Sequence, residues 1–184
     1  MKLYFYGGSF DPPHLAHKEI VNYFSNKCEK FLIVPSYKSP LKLRMPISFS
    51  HRKEMLRIMF ENSSNKLEII NFENNNKILY TYKTIKYLKN KYPNHTLNMI
   101  VGLDQYNKLD RWKNDQYIKN NVKISVISRP GHKYINNEEI SFIDAISFTI
   151  SSEYIKNNFN QIEKIKHMLD KKVLKYIIKN KLYI

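Results

Sequence analysis

The sequence predicts an α/β fold: a doubly wound parallel sheet with helices on both faces and a small C-terminal helical subregion. Three observations carry this. Short apolar runs alternate with longer segments of helical periodicity over most of the chain. Gly7-Gly8, Gly102 and Gly131 each follow an apolar run, where the chain must turn. Gly7-Gly8 also separate the run Leu3-Tyr4-Phe5-Tyr6 from a helical pattern at Leu15, Ile20, Val21 and Phe24. A strand, a glycine turn and a helix N-terminus in that order form a pocket for phosphate.

Taken in order, the strands are expected at Leu3–Tyr6, Phe31–Val34, Leu67–Asn71, Leu97–Val101 and Lys123–Ser128. The helices between them are expected at Leu15–Asn26, Ser48–Glu61, Thr81–Lys91 and Asp115–Lys119. Ser48 is placed to cap the second helix, and Pro93-Asn94 stops the third just before the fourth strand. After Phe142 the pattern gives one short strand near Ile146–Thr149, then helices. No linker or internal repeat divides the 184 residues. The reading is one domain, 1–184, with a core over 1–149 and a helical part over 150–184.

Composition narrows the partners. A single cysteine, Cys28, gives no disulfide framework and fits a reducing, cytoplasmic setting. The first apolar run is too short for a signal peptide or membrane span. The net charge of +15 is spread along the chain as lysine among asparagine and isoleucine, without a stripe of arginine and aromatics. Specific nucleic-acid binding is therefore not expected, whereas small anionic ligands are favoured by electrostatic steering. An oligomer is compatible with the sequence.

Residues 7–17 read Gly-Gly-Ser-Phe-Asp-Pro-Pro-His-Leu-Ala-His. His14 and His17 are three apart at a helix start, so both rings face the same place and can offer N–H donors. The pair alone would also suit a solvated face or half a zinc site. The other histidines (His51, His95, His132, His167) and Cys28 are scattered, which argues against zinc, and no metal-ligating set is assigned. Near the other end, Ile150-Ser151-Ser152-Glu153-Tyr154-Ile155-Lys156 opens a helix with two hydroxyls and a cation one turn later. That is either an ordinary serine cap or a second anion site. Trp112, the only tryptophan, lies among Asp110, Arg111, Lys113 and Asn114. It is either a face for stacking an aromatic ring or a cover for the sheet edge. Thr81, Tyr82 and Thr84 begin a helix, where N–H groups can take a carboxylate or Thr81 can simply cap. Asp104 follows Gly102 at a strand end, a usual place for an acid that accepts ribose hydroxyls. Lys42 is either a phosphate contact or a solvated loop lysine.

Residues 7–17 resemble the signature Gly-Gly-(Thr/Ser)-Phe-(Asp/Asn)-Pro-x-His-x-Gly-His of the nucleotidyltransferase branch of the HIGH superfamily, with Ala16 in place of glycine. Residues 150–156 resemble its second signature, Ile-Ser-Ser-Thr-x-Ile-Arg, with Glu153 for threonine and Lys156 for arginine. Segments between the two are similar to the nicotinate-nucleotide adenylyltransferases. They are Pro35–Lys42 with Leu41 in the usual histidine place, Arg52 with Met55-Leu56, and Tyr80-Thr81 with Thr84. Ile100-Val101-Gly102-Leu103-Asp104-Gln105 followed by Leu109 and Trp112, Arg129-Pro130-Gly131, and the closing Tyr176-Ile177 with Leu182-Tyr183 continue the likeness. Together they span essentially the whole chain.

The resemblance implies a Rossmann-like fold and transfer of an adenylyl group from ATP to nicotinate mononucleotide, with Mg²⁺ carried on the ATP. It implies His14 and His17 as the catalytic pair. ATP would be held by these with Gly7, Gly8, Ser9, Phe10, Gly102, Asp104, Arg129, Ile150, Ser151, Ser152 and Lys156. Nicotinate mononucleotide would meet Ser9, Lys42, Thr81, Tyr82, Thr84, Asp104 and Trp112. The alternatives are phosphopantetheine adenylyltransferase, which lacks the Trp112 and Thr81–Thr84 features, and an RNA-binding protein on the same scaffold. An aminoacyl-tRNA synthetase would need a longer chain.

Overall fold

Alternation along β1 (Lys2–Gly8) makes the sheet two-sided. Leu3 and Phe5 enter one apolar cluster, while Tyr4 and Tyr6 pack against the other. The computed structural model describes residues 1–38, 45–127, 140–143 and 150–183, the third of these by its backbone. Beside β1 run β2 (Lys30–Pro35), β3 (Leu67–Ile69), β4 (Thr96–Gly102), β5 (Lys123–Ile127) and β6 (Ile140–Ile143). These six strands form one sheet in the order β3-β2-β1-β4-β5-β6, and every pairing is parallel. The order reverses between β1 and β4, which puts a crevice above their carboxyl ends.

Helices cover both faces, as a parallel sheet requires. On one face α1 (Leu15–Ser25), α2 (Phe49–Met59), α7 (Ser152–Asn157), α8 (Ile162–Ile165) and α9 (Lys171–Lys179) share a core with Phe31 and Ile33 of β2. On the other, α4 (Thr81–Lys91) and α6 (Asp115–Asn121) pack Ile85, Leu88 and Ile118 against Phe5, Leu32, Met99 and Val126. The short α3 (Phe72–Asn75) and α5 (Leu103–Tyr106) stand at the carboxyl edge after β3 and β4.

The four main helices lie where the periodicity puts them, and Ser48 caps α2 by accepting the His51 backbone N–H at 3.4 Å. Three details differ from expectation. β3 stops at Ile69, because Asn71 leaves extended geometry to begin α3. α4 is preceded by Tyr80, with no side-chain cap, so Thr81 is its first helical residue rather than its cap. A strand stands at Ile140–Ile143, where a four-residue Ile-Ser-Phe-Ile run is too brief to announce itself. The strand expected at Ile146–Thr149 lies outside the described residues, as do Lys42 and Arg129.

Candidate active site

The turn after β1 is held in one shape from several sides. Phe10 has φ of 49°, a left-handed conformation that costs a non-glycine residue about 1–3 kcal/mol. Its ring offsets that cost by burial, packing edge-on to Tyr6 at 5.5 Å and lying beneath Gly8. A Cβ on Gly8 would meet the Phe10 ring at 3.1 Å, so glycine is needed for this approach. The Gly8 carbonyl accepts the Ser36 N–H at 2.8 Å, and the Ser9 carbonyl accepts from Arg52 Nη1 at 2.7 Å. Arg52 is fully buried, and its Nε also donates to the Ile47 carbonyl at 3.1 Å. Burial lowers its pKa, with Asp11 the largest opposing influence.

At the start of α1 the His14 backbone N–H donates to His17 Nδ1 at 3.2 Å. A neutral His17 in that bond carries its proton on Nε2, which becomes its donor. The rings of His14 and His17 stack at 3.7 Å, and Phe10 meets His17 edge-on at 5.0 Å. His14 is 5% exposed, whereas His17 is only partly buried. The two histidines therefore present one rigid face above the glycine turn at the positive end of an 11-residue helix.

The second signature is fastened to the first. Ser152 Oγ donates to the Pro12 carbonyl at 2.8 Å, while Ser151 caps α7 by accepting the Tyr154 N–H at 3.1 Å. Ile150 is buried in the core beneath them. Lys156 Nζ pairs with Asp11 Oδ2 at 2.8 Å, and the Tyr183 hydroxyl donates to Asp11 Oδ1 at 2.8 Å. Desolvation and the Asp11 charge both raise the Tyr183 pKa far above its usual range, so it stays a donor. Glu153 is exposed in the first turn of α7.

Across the crevice, a Cβ on Gly102 would come within 2.8 Å of Asp104 Oδ1, so that carboxylate lies over bare backbone. Asp104 is exposed and near enough to add to burial in raising the Tyr6 pKa. On the α4 face, Trp112 and Tyr82 pack against one apolar cluster. The indole N–H of Trp112 is buried and has no hydrogen-bond partner among the described residues. Thr84 is 1% exposed, and its hydroxyl donates to Glu73 Oε1 at 2.7 Å.

Thus the structure brings together Gly7, Gly8, Ser9, Phe10, His14 and His17 with Ile150, Ser151, Ser152 and Lys156. It places Gly102 and Asp104 on the adjoining strand end, and Thr81, Tyr82, Thr84 and Trp112 on the opposite face. Asp11, Arg52, Tyr183 and Glu73 were not singled out by the sequence. Asp11, Arg52 and Tyr183 do lie within quoted motifs, but Arg52 stands in the polar run His51-Arg52-Lys53-Glu54, where nothing marks it for burial. Glu73 gave no signal of its own, since its partner Thr84 stands on the next main helix. No three histidine, cysteine or acidic side chains among the described residues converge as a metal site.

The cytidylyltransferase-like family model matches residues 5–158. The chain is 33% identical to the probable nicotinate-nucleotide adenylyltransferase of Leptospira interrogans, over 97% of this chain and 94% of that protein. It is 31% identical to the nicotinate-nucleotide adenylyltransferase of Bacillus subtilis, over 99% and 98%. Its fold matches Plasmodium falciparum nicotinic acid mononucleotide adenylyltransferase complexed with APC at a TM-score of 0.84, with 26% identity and 99% and 96% of the two chains covered.

Proposed function

Because this chain belongs to the nicotinate-nucleotide adenylyltransferases, within the cytidylyltransferase-like family, we propose that it joins ATP and nicotinate mononucleotide into deamido-NAD with release of pyrophosphate. The observation that carries this reading is the stacked His14–His17 pair above Gly7-Gly8, at the point where the sheet order reverses. Such a site suits a reaction in which both partners are already charged and need only be aligned. The mononucleotide phosphate attacks the α-phosphorus in line. The bond from that phosphorus to the bridging oxygen breaks, and pyrophosphate leaves with the electron pair. No covalent enzyme intermediate is required, so catalysis is positioning plus charge neutralisation.

In this reading His17 Nε2–H and the His14 ring donate to the transferred and leaving phosphates. The bare backbone of Gly7, where a Cβ would meet no atom within 4 Å, leaves room for the triphosphate to approach. Asp104 accepts the ribose hydroxyls over Gly102. Trp112 offers its ring to the pyridine, and the amino end of α4 offers N–H groups to the ring carboxylate. Lys156 reaches phosphate by leaving or sharing Asp11, a compact point charge where guanidinium would grip in two places. The buried Asp11 is occupied by Lys156 and Tyr183, so the residues present fit a Mg²⁺ that arrives coordinated by the ATP phosphates and water. When bound there it supplies charge neutralisation. No helix among the described residues is long and apolar enough to cross a membrane.

The test is pyrophosphate release from Mg²⁺-ATP with nicotinate mononucleotide, run beside nicotinamide mononucleotide and phosphopantetheine. Turnover with the acid form above both others supports the reading. Turnover with phosphopantetheine, or with none of the three, overturns it.

A further inference from the structure

Glu73 lies on α3, between the carboxyl end of β3 and the start of α4. Its Oε1 accepts the Thr84 hydroxyl at 2.7 Å. One carboxylate thus joins the segment after β3 to the first turns of α4. Both stand at the carboxyl edge of the sheet, where ligands gather.

A carboxyl is a poor choice for packing alone, because taking it out of water is costly. Burial pushes the Glu73 carboxyl up to about 7, and the Thr84 hydroxyl, the Tyr37 backbone and the nearby Arg52 charge oppose that rise. Arg52 in turn holds the Ser9 carbonyl. The pair therefore faces both halves of the crevice, with Arg52 on the glycine turn and Glu73 on the start of α4.

We infer that Glu73 is a positioning residue for the pyridine mononucleotide: by tethering Thr84 to α3 it fixes the amino end of α4, and so sets affinity for that substrate. This rests on the adenylyl transfer proposed above. ATP, bound on the α1 side of the crevice, is outside its reach.

Glu73→Gln keeps the side-chain shape but puts a neutral amide where a carboxylate accepts the Thr84 hydroxyl. It raises KM for nicotinate mononucleotide by about tenfold or more, the scale of losing a hydrogen bond to a charged group, and leaves kcat and KM for ATP within about twofold. A role in packing alone would lower thermal stability without that split. Thr84→Val, which removes the hydroxyl at nearly constant shape, moves the same KM, and the double variant is no worse than the poorer single, because both break one link. The tether is overturned if folded Glu73→Gln leaves both KM values at wild type, if the two rise together, or if the two substitutions add. Should Glu73→Gln not fold, Thr84→Val decides alone by the same split in KM. The wild type run alongside separates the failures. No turnover by it sinks the adenylyl-transfer reading and the tether together, whereas turnover without the split sinks only the tether.

Discussion

At the scale of single residues, the site depends on side chains whose freedom has been removed in advance. His17 is fixed by the His14 N–H at Nδ1 and by the rings of His14 and Phe10, so its Nε2 proton waits in place. His17→Ala is expected to lower kcat/KM by at least about 100-fold, near 3 kcal/mol of transition-state stabilisation, with little change in thermal stability. Steady-state kinetics beside a melting curve checks both halves. Glu73 gives a different signature. Its carboxyl titrates near 7 in the folded protein against an ordinary 4.5, so between those values the unfolded chain has lost a proton that the folded one keeps. Stability therefore falls as pH rises from about 4.5 to about 7, by up to roughly 3 kcal/mol, and levels off above. Denaturant unfolding across that range should show this fall in the wild type and a flatter curve in Glu73→Gln.

At the scale of elements, α9 braces the first core layer. Val173 and Ile177 are fully buried there, Asp170 pairs with Lys18 of α1 at 2.7 Å, and Tyr176 bonds His51 of α2 at 2.9 Å. Ile177→Ala removes three methyl or methylene groups from a packed position and should cost about 2–5 kcal/mol, read as a lower midpoint in denaturant. Elements of this kind were legible beforehand. Valine, leucine and isoleucine at helical spacing, or in short runs between turns, report burial directly, and four helices and five strands followed from them. β6 was not, because four residues are too few to show a period. Neither was the set of Asp11 contacts. A carboxylate chosen by Lys156 and Tyr183 has no local pattern, since its partners stand 145 and 172 residues away. The His14–His17 pair proposed for catalysis was readable because strand, glycine turn and helix are contiguous. Thr84 shows the limit, being correctly placed at the start of α4 while its hydroxyl serves Glu73.

For the molecule as a whole, a net charge of +15 sets how anionic reactants arrive. ATP and a mononucleotide both carry phosphate, so a cationic surface raises their encounter rate, and salt screens that attraction over about 10 Å at 0.1 M. The expected outcome is that kcat/KM for either substrate falls steadily from low salt to about 0.5 M, while kcat at saturation changes little. A flat profile would show that the lysines act locally or not at all. The charge is also what a nucleic-acid reading would use, and the same titration with an RNA probe tests it, since phosphate-backbone binding loses affinity steeply over this range.

The hydrogen bond between Tyr183 and Asp11 has a consequence in time as well as in space. Residues 7–17 leave the ribosome well before residue 183, and the β1 turn can form early beside α1 and β2. Asp11 is nonetheless completed by a group 172 positions downstream. A nascent chain thus carries this turn for most of its synthesis with Asp11 lacking both Lys156 and Tyr183, and translation at about 5–20 residues per second makes that a wait of many seconds. The turn gains its full set of partners only once the chain has been made through to α9 and beyond.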